Sequence, residues 1–162
     1  MPAKAQSAPF DLAAALANAY RTNDRINQYL IRNLPAPVWR MTPPGGKGRT
    51  VAGIAAHMHN VRIMWLKAAG GRLPAKLEGN DFTPEEAIHA LEQSCEAMEE
   101  LVSASMRSDG RVKGFKPDVA GFFGYLFAHD AHHRGQISLL ARLLGHPLPQ
   151  SAMFGMWEWG TR

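Results

Sequence analysis

Apolar positions recur every three or four residues through four long stretches of the chain, and Pro- and Gly-rich breaks separate those stretches. From Phe10 to Leu34, the side chains of Leu12, Leu16, Tyr20, Leu30, Ile31 and Leu34 share one helical face, and Pro35 and Pro37 end the pattern. Residues 35–49 read as a loop. A second helix opens at Thr50 as N-cap, carries Val51, Ile54, Met58, Val61 and Trp65 as its stripe, and stops at Gly70-Gly71. The third starts at Thr83-Pro84-Glu85-Glu86, a cap, an N1 proline and a capping-box glutamate, and buries Ile88, Leu91, Cys95, Met98 and Val102. Residues 108–116 lead to a fourth helix from Pro117 to Leu144, with Gly145 as its stop. Gly121 and Gly124 weaken its first turns and point to close approach of another helix. No stretch alternates as a strand does. The expectation is an all-α fold, an antiparallel four-helix bundle forming a single domain over residues 1–162. Residues 1–9 are expected to be flexible, and the aromatic tail 145–162 to pack back on the bundle.

Composition narrows the classes of function. With 46% hydrophobic residues in 162, the chain can bury a real core. Its net charge of +4 is scattered, with no basic run or aromatic-interleaved stripe, so no nucleic-acid partner is expected. The single cysteine, Cys95, excludes an internal disulfide and a cysteine zinc site, and it reads as a small core residue. The N-terminal stretch lacks the apolar centre of a signal peptide, and no apolar run is long enough to span a bilayer. A soluble, cytoplasmic protein with no membrane partner is the expectation.

The stretch FAHDAHHRGQ, residues 127–136, holds three histidines in five positions. A helix turns about 100° per residue, so His129 and His133 fall on the apolar face defined by Phe122, Leu126, Ile137, Leu140 and Leu144. His132 lies on its shoulder, and Arg134 and Arg142 point outward. On the second helix His57 lies within the broad apolar face and His59 on the opposite side. His89 falls among glutamates outside its stripe, and His146 follows a helix stop. Two imidazoles at i and i+4 with a third from a facing helix make a His₃ set that suits a divalent ion and leaves a coordination position open. The bland alternative is a set of hydrogen-bonded core histidines. A di-iron carboxylate centre needs two Glu-x-x-His motifs, and only Glu86-Ala-Ile-His89 matches, so that class is excluded.

Other polar residues are candidates around this set. Tyr125 and Gln136 share the direction of His129 and can orient a ligand or an outer water, or serve as ordinary interior polar groups. Asn23 and Asn27 sit within the apolar stripe of the first helix and either line a pocket or bond helix to helix. Asn60 can hold outer water, and His132 can meet substrate or a partner copy. Asp130, about 100° from His129, reads as solvent-facing or as an outer partner on a neighbouring helix. No convincing general base is apparent. Trp157 and Trp159 either wall a pocket mouth or cover the bundle end.

TVAGIAAHMHN at 50–60 and HDAHHRGQI at 129–137 resemble the two signature segments of the DinB-like superfamily, which includes bacillithiol transferases and mycothiol-dependent isomerases. AYRTNDRINQYL is similar, more loosely, to that family's first helix, and the resemblance covers essentially the whole chain. It implies a four-helix bundle, a homodimer, and a metal triad at His57, His129 and His133, the set that helix direction also selects. It further implies one divalent ion per chain, zinc or nickel ahead of iron, cobalt or manganese, and a low-molecular-weight thiol as cosubstrate. The functional expectation is a metal-dependent, thiol-dependent transferase or a hydrolase acting on a small molecule. Its rivals are a non-catalytic metal-binding protein (sensor, store or structural metal) and a metal-free interaction module.

Overall fold

The computed structural model describes residues 9–162, so the flexible lead expected over 1–9 lies outside the described residues but for its last position. The described residues hold helices and no strand: α1 (Leu12–Arg32), α2 (Val51–Ala69), α3 (Pro84–Met106), α4 (Val119–Leu143) and a short α5 (Gln150–Gly155), with 3₁₀ turns at Ala36–Arg40, Pro44–Gly46 and Trp159–Thr161. None is long and apolar enough to cross a membrane.

Local chemistry sets the helix ends. Asp11, Thr50 and Asp118 each accept a hydrogen bond from a backbone N–H three residues on, and Thr83 and Glu86 form the reciprocal box that their spacing predicts. Gly70 closes α2 in the left-handed conformation, φ 79°. α4 begins two residues later than Pro117 because Asp118 is its cap. Neither glycine of its first turns marks a helix crossing. A Cβ on Gly121 would come within 3.1 Å of Pro117, its own cap region, and one on Gly124 would meet open space.

The residue pairs fix helix direction. Along α1 and α4, Tyr20 meets Phe123 and Phe127, and Asn27 further on meets Asp130 and Arg134, so these two helices run in the same sense. Between α2 and α4 the order reverses, with His57 against His129 and Trp65 against Phe122. α1 and α3 also run oppositely, since Arg21 pairs with Glu99 while Leu30 and Ile31 share a core cluster with Ile88. The alternating antiparallel order expected from the sequence is therefore corrected: α1 pairs in parallel with α4. The reason lies in residues 70–83, which run back along α2 as an extended strap before α3 begins. Ala75 bonds His59, Leu77 bonds Asn60 at both backbone groups, and Phe82 accepts from Trp39 Nε1. That strap returns the chain to the starting end of α2, so α3 sets off in α2's direction.

The strap also corrects two readings of α2. His59 is on the side away from the metal candidates but is fully buried beneath the strap. Asn60 is a bracket for the strap, not a pocket residue. The most buried line of α2 is Val51, Ala55, Met58, Arg62 and Leu66, one step round from the predicted stripe. It shares Val51 and Met58 with that stripe, and the alanine and arginine at 55 and 62 are what a pattern built on large apolar residues passes over. In the tail, Ala152 and Gly155 are buried and Leu148 and Met156 pack on the core. A Cβ at Gly155 would sit 2.2 Å from Tyr29 Oη, so any side chain here forces Tyr29 to move.

Candidate metal centre

His129 and His133 are one turn apart on α4, and their Nε2 atoms lie 3.2 Å from each other. α2 brings His57 over the pair, with ring centroids 5.3 Å from His129 and 4.7 Å from His133. One nitrogen from each of the three falls within 4.8 Å of the others. The geometry thus gathers the three residues that periodicity selected. Burial, then Arg49 and the two neighbouring imidazoles, lowers the pKa of His57 to about 4. Burial likewise lowers that of His133. Both are neutral near pH 7, the form in which imidazole binds a metal.

The surroundings set the tautomers. Gln136 Oε1 lies 2.7 Å from His133 Nδ1, and a carbonyl oxygen only accepts, so the proton is on Nδ1 and Nε2 is bare. His129 Nδ1 faces the Asp130 carboxylate at 3.8 Å, and its Nε2 turns toward that of His133. Two nitrogens bound to one tetrahedral zinc at ordinary bond lengths would be about 3.3 Å apart. The donor set therefore fits a divalent ion.

Behind His129 lies a polar cluster in which Asn23 and Asn27 bond helix to helix and Asp130 is the partner of neighbouring helices, while Arg62 and the inward turn of Arg134 were not foreseen. Asp130 is buried, not solvent-facing. Its Oδ2 accepts from Arg62 Nη2 at 2.9 Å, Asn23 Nδ2 at 2.7 Å and Asn27 Nδ2 at 2.9 Å. Burial pushes its carboxyl up, but Arg62 and these donors outweigh burial and hold the pKa at about 2. Arg62 is 1% exposed and also donates to Asp24 Oδ1 at 2.7 Å and to Leu91 O at 3.0 Å. Asp24 keeps a raised pKa because burial exceeds what Arg62 returns. Arg134, expected to point outward, turns to α1 and donates to both Asn23 Oδ1 and Asn27 Oδ1. Two arginines thus balance two buried aspartates, with the asparagine amides between them.

The angular reason is simple. The buried line of α4 is Phe122, Leu126, Asp130, His133 and Ile137, and His129 lies on one edge of that broad face. About 100° from that edge is the other half of the face, not solvent. The signal for Arg62 was equally present, since it follows Met58 by four and precedes Leu66 by four.

The remaining candidates separate. Tyr125 stands beside His129, ring centroids 5.9 Å apart, in an aromatic group with Trp65, Phe115 and Phe122. The Trp65 Nε1 is buried there without a partner among the described residues. His132 is exposed, its ring 5.0 Å from that of His133. Asn23 and Asn27 bond helix to helix. His89 is exposed beside Gln93, and Glu86 is spent on its cap. Cys95 is buried, and burial drives its thiol pKa far upward, so it is a core residue.

A family model described as the DinB family matches residues 1–160. The chain belongs to the DinB family. No curated protein and no solved structure matches it. In this DinB chain the two segments that carry the family resemblance, on α2 and α4, are the ones that supply the three convergent imidazoles.

Proposed function

We propose that this DinB protein is a divalent-metal-dependent enzyme with one ion per chain, zinc or nickel first, held by His57, His129 and His133. The observation that carries the reading is the convergence of three imidazoles, with the two α4 Nε2 atoms 3.2 Å apart and His57 above them. When bound, the ion supplies Lewis acidity and lowers the pKa of a coordinated water or thiol. His57, from α2, and the α4 pair would hold the ion, and three protein ligands would leave its coordination open to a ligand. Gln136 fixes the tautomer of His133, and Asp130, anchored by Arg62, Asn23 and Asn27, faces Nδ1 of His129. Tyr125 and Trp65 wall one flank, and His132 stands at the exposed rim.

The reaction proposed is thiol-dependent transfer to a small electrophile, or hydrolysis, in a cytoplasmic homodimer whose four long helices form a bundle. One observation favours a second reading, a non-catalytic metal protein. The nearest carboxylate, Asp130, is committed to Arg62 and two asparagines, so no free general base faces the imidazoles among the described residues.

The test is metal content of tag-free protein, wild type against His129→Ala and His57→Ala, followed by assay with cellular thiols and electrophilic acceptors. The expected result is about one ion per chain, lost in both variants, and turnover that chelator abolishes. Metal without turnover supports the second reading. No metal and no uptake of Zn²⁺ or Ni²⁺ overturns both.

A further inference from the structure

On the flank of α4 away from His57, a cavity of about 490 Å³ opens between that helix and the C-terminal tail. Its volume falls in the range that encloses small molecules. Leu139 on α4 and Met153, Met156 and Trp157 of the tail form apolar walls, and Arg134 and Arg142 are the charged groups lining it. Leu139 and Trp157 are well exposed, so the walls have no covering element among the described residues.

Arg134 is the fixed point. Its Nη1 donates to Asn23 and Asn27, which hold the guanidinium plane in place. Its Nε and Nη2 make no hydrogen bond among the described residues, and neither is sealed from solvent. That Nε–Nη2 edge is the one that matches a carboxylate with two parallel bonds. Arg142, two turns along the same face, makes no ion pair among the described residues and adds positive potential at the groove's far end.

We propose that this groove binds an amphipathic monocarboxylate, with its head on the free edge of Arg134 and its alkyl or aryl body against Leu139, Met153, Met156 and Trp157. The site is separate from the three histidines and does not depend on the metal reading.

The test uses the full-length protein titrated with octanoate and with octan-1-ol, followed by calorimetry and by tryptophan fluorescence, since Trp157 and Trp159 both line the groove. Saturable binding of about one octanoate per chain is expected, at least about tenfold tighter than octan-1-ol, the difference one charge-assisted contact makes. Arg134→Gln should bring octanoate down to the level of octan-1-ol and leave the alcohol unchanged. Leu139→Glu, on the exposed rim, should abolish both. The octanoate–octanol difference and the Leu139→Glu result decide the matter even if Arg134→Gln does not fold. No saturable octanoate binding overturns the proposal, as does equal affinity for acid and alcohol. A dimer that Leu139→Glu dissociates, with no octanoate bound, also overturns it and assigns the groove to a second copy of the chain.

Discussion

Replacing Arg62 by methionine tests the polar cluster behind the histidines most directly. Methionine keeps the length and most of the volume but removes the charge. In the native chain Arg62 is the shared partner of two buried carboxylates, at 2.7 Å from Asp24 and 2.9 Å from Asp130. Removing one member of a buried ion pair typically costs about 3–5 kcal/mol, because the remaining charge is left without a partner. Here two are left. Against a typical domain stability of about 5–15 kcal/mol, the variant should be only marginally folded at neutral pH. The pH dependence carries the sharper test. The folded-state pKa of Asp24 is already raised by burial, with Arg62 the largest opposing influence. Without Arg62 it rises further. A carboxyl whose folded pKa lies above its unfolded value favours folding below the unfolded pKa, and that advantage is lost as pH rises through the folded value. The stability deficit of Arg62→Met should therefore be small near pH 4 and widen steadily toward pH 7. Urea unfolding followed by circular dichroism, with chelator present so that metal adds nothing, measures it. A deficit below about 1 kcal/mol at pH 7, or one that does not change with pH, would refute the argument that Arg62 neutralises these carboxylates.

Three other outcomes follow from single contacts. Gln136→Leu removes the acceptor that fixes the His133 tautomer, so metal affinity should fall about 10–100-fold in competition with a chelating dye, while the melting temperature of the metal-free protein stays put because Gln136 is exposed. Asn60→Ala removes both bonds to Leu77 and should cost about 1–3 kcal/mol, with new protease cleavage confined to residues 70–83; unchanged cleavage would mean that other contacts hold the strap. Gly155→Ala drives a Cβ against Tyr29 and should cost about 1–3 kcal/mol in denaturant unfolding, a loss that Tyr29→Ala relieves if the clash is its cause.

The helices and their ends were legible in the linear order of residues, since capping and 3.6-residue periodicity act within a few positions. Thr83 with Glu86, Thr50 and Gly70 each do their work inside one turn, while Asp118, the cap of α4, was passed over for Pro117. The metal candidates were legible for a related reason: His129 and His133 are one helical turn apart, and His57 needed only the right face of one other helix. Arg62 was passed over, Arg134 was placed outward, and Asp130 was left between solvent and a neighbouring helix, because charge was taken to favour exposure. That inference holds only when no opposite charge waits across the helix interface. Whether Asp24 of α1 meets Arg62 of α2, and Arg62 meets Asp130 of α4, depends on helix direction and rotation, which arise from long-range packing. Direction itself turned on the strap at residues 70–83, whose composition says loop but not which way the loop runs. The groove beside Arg134 has the same origin. Its walls are about twenty residues apart in sequence and become one surface only when α5 folds back against Tyr29, beside which Gly155 leaves room that a side chain would fill.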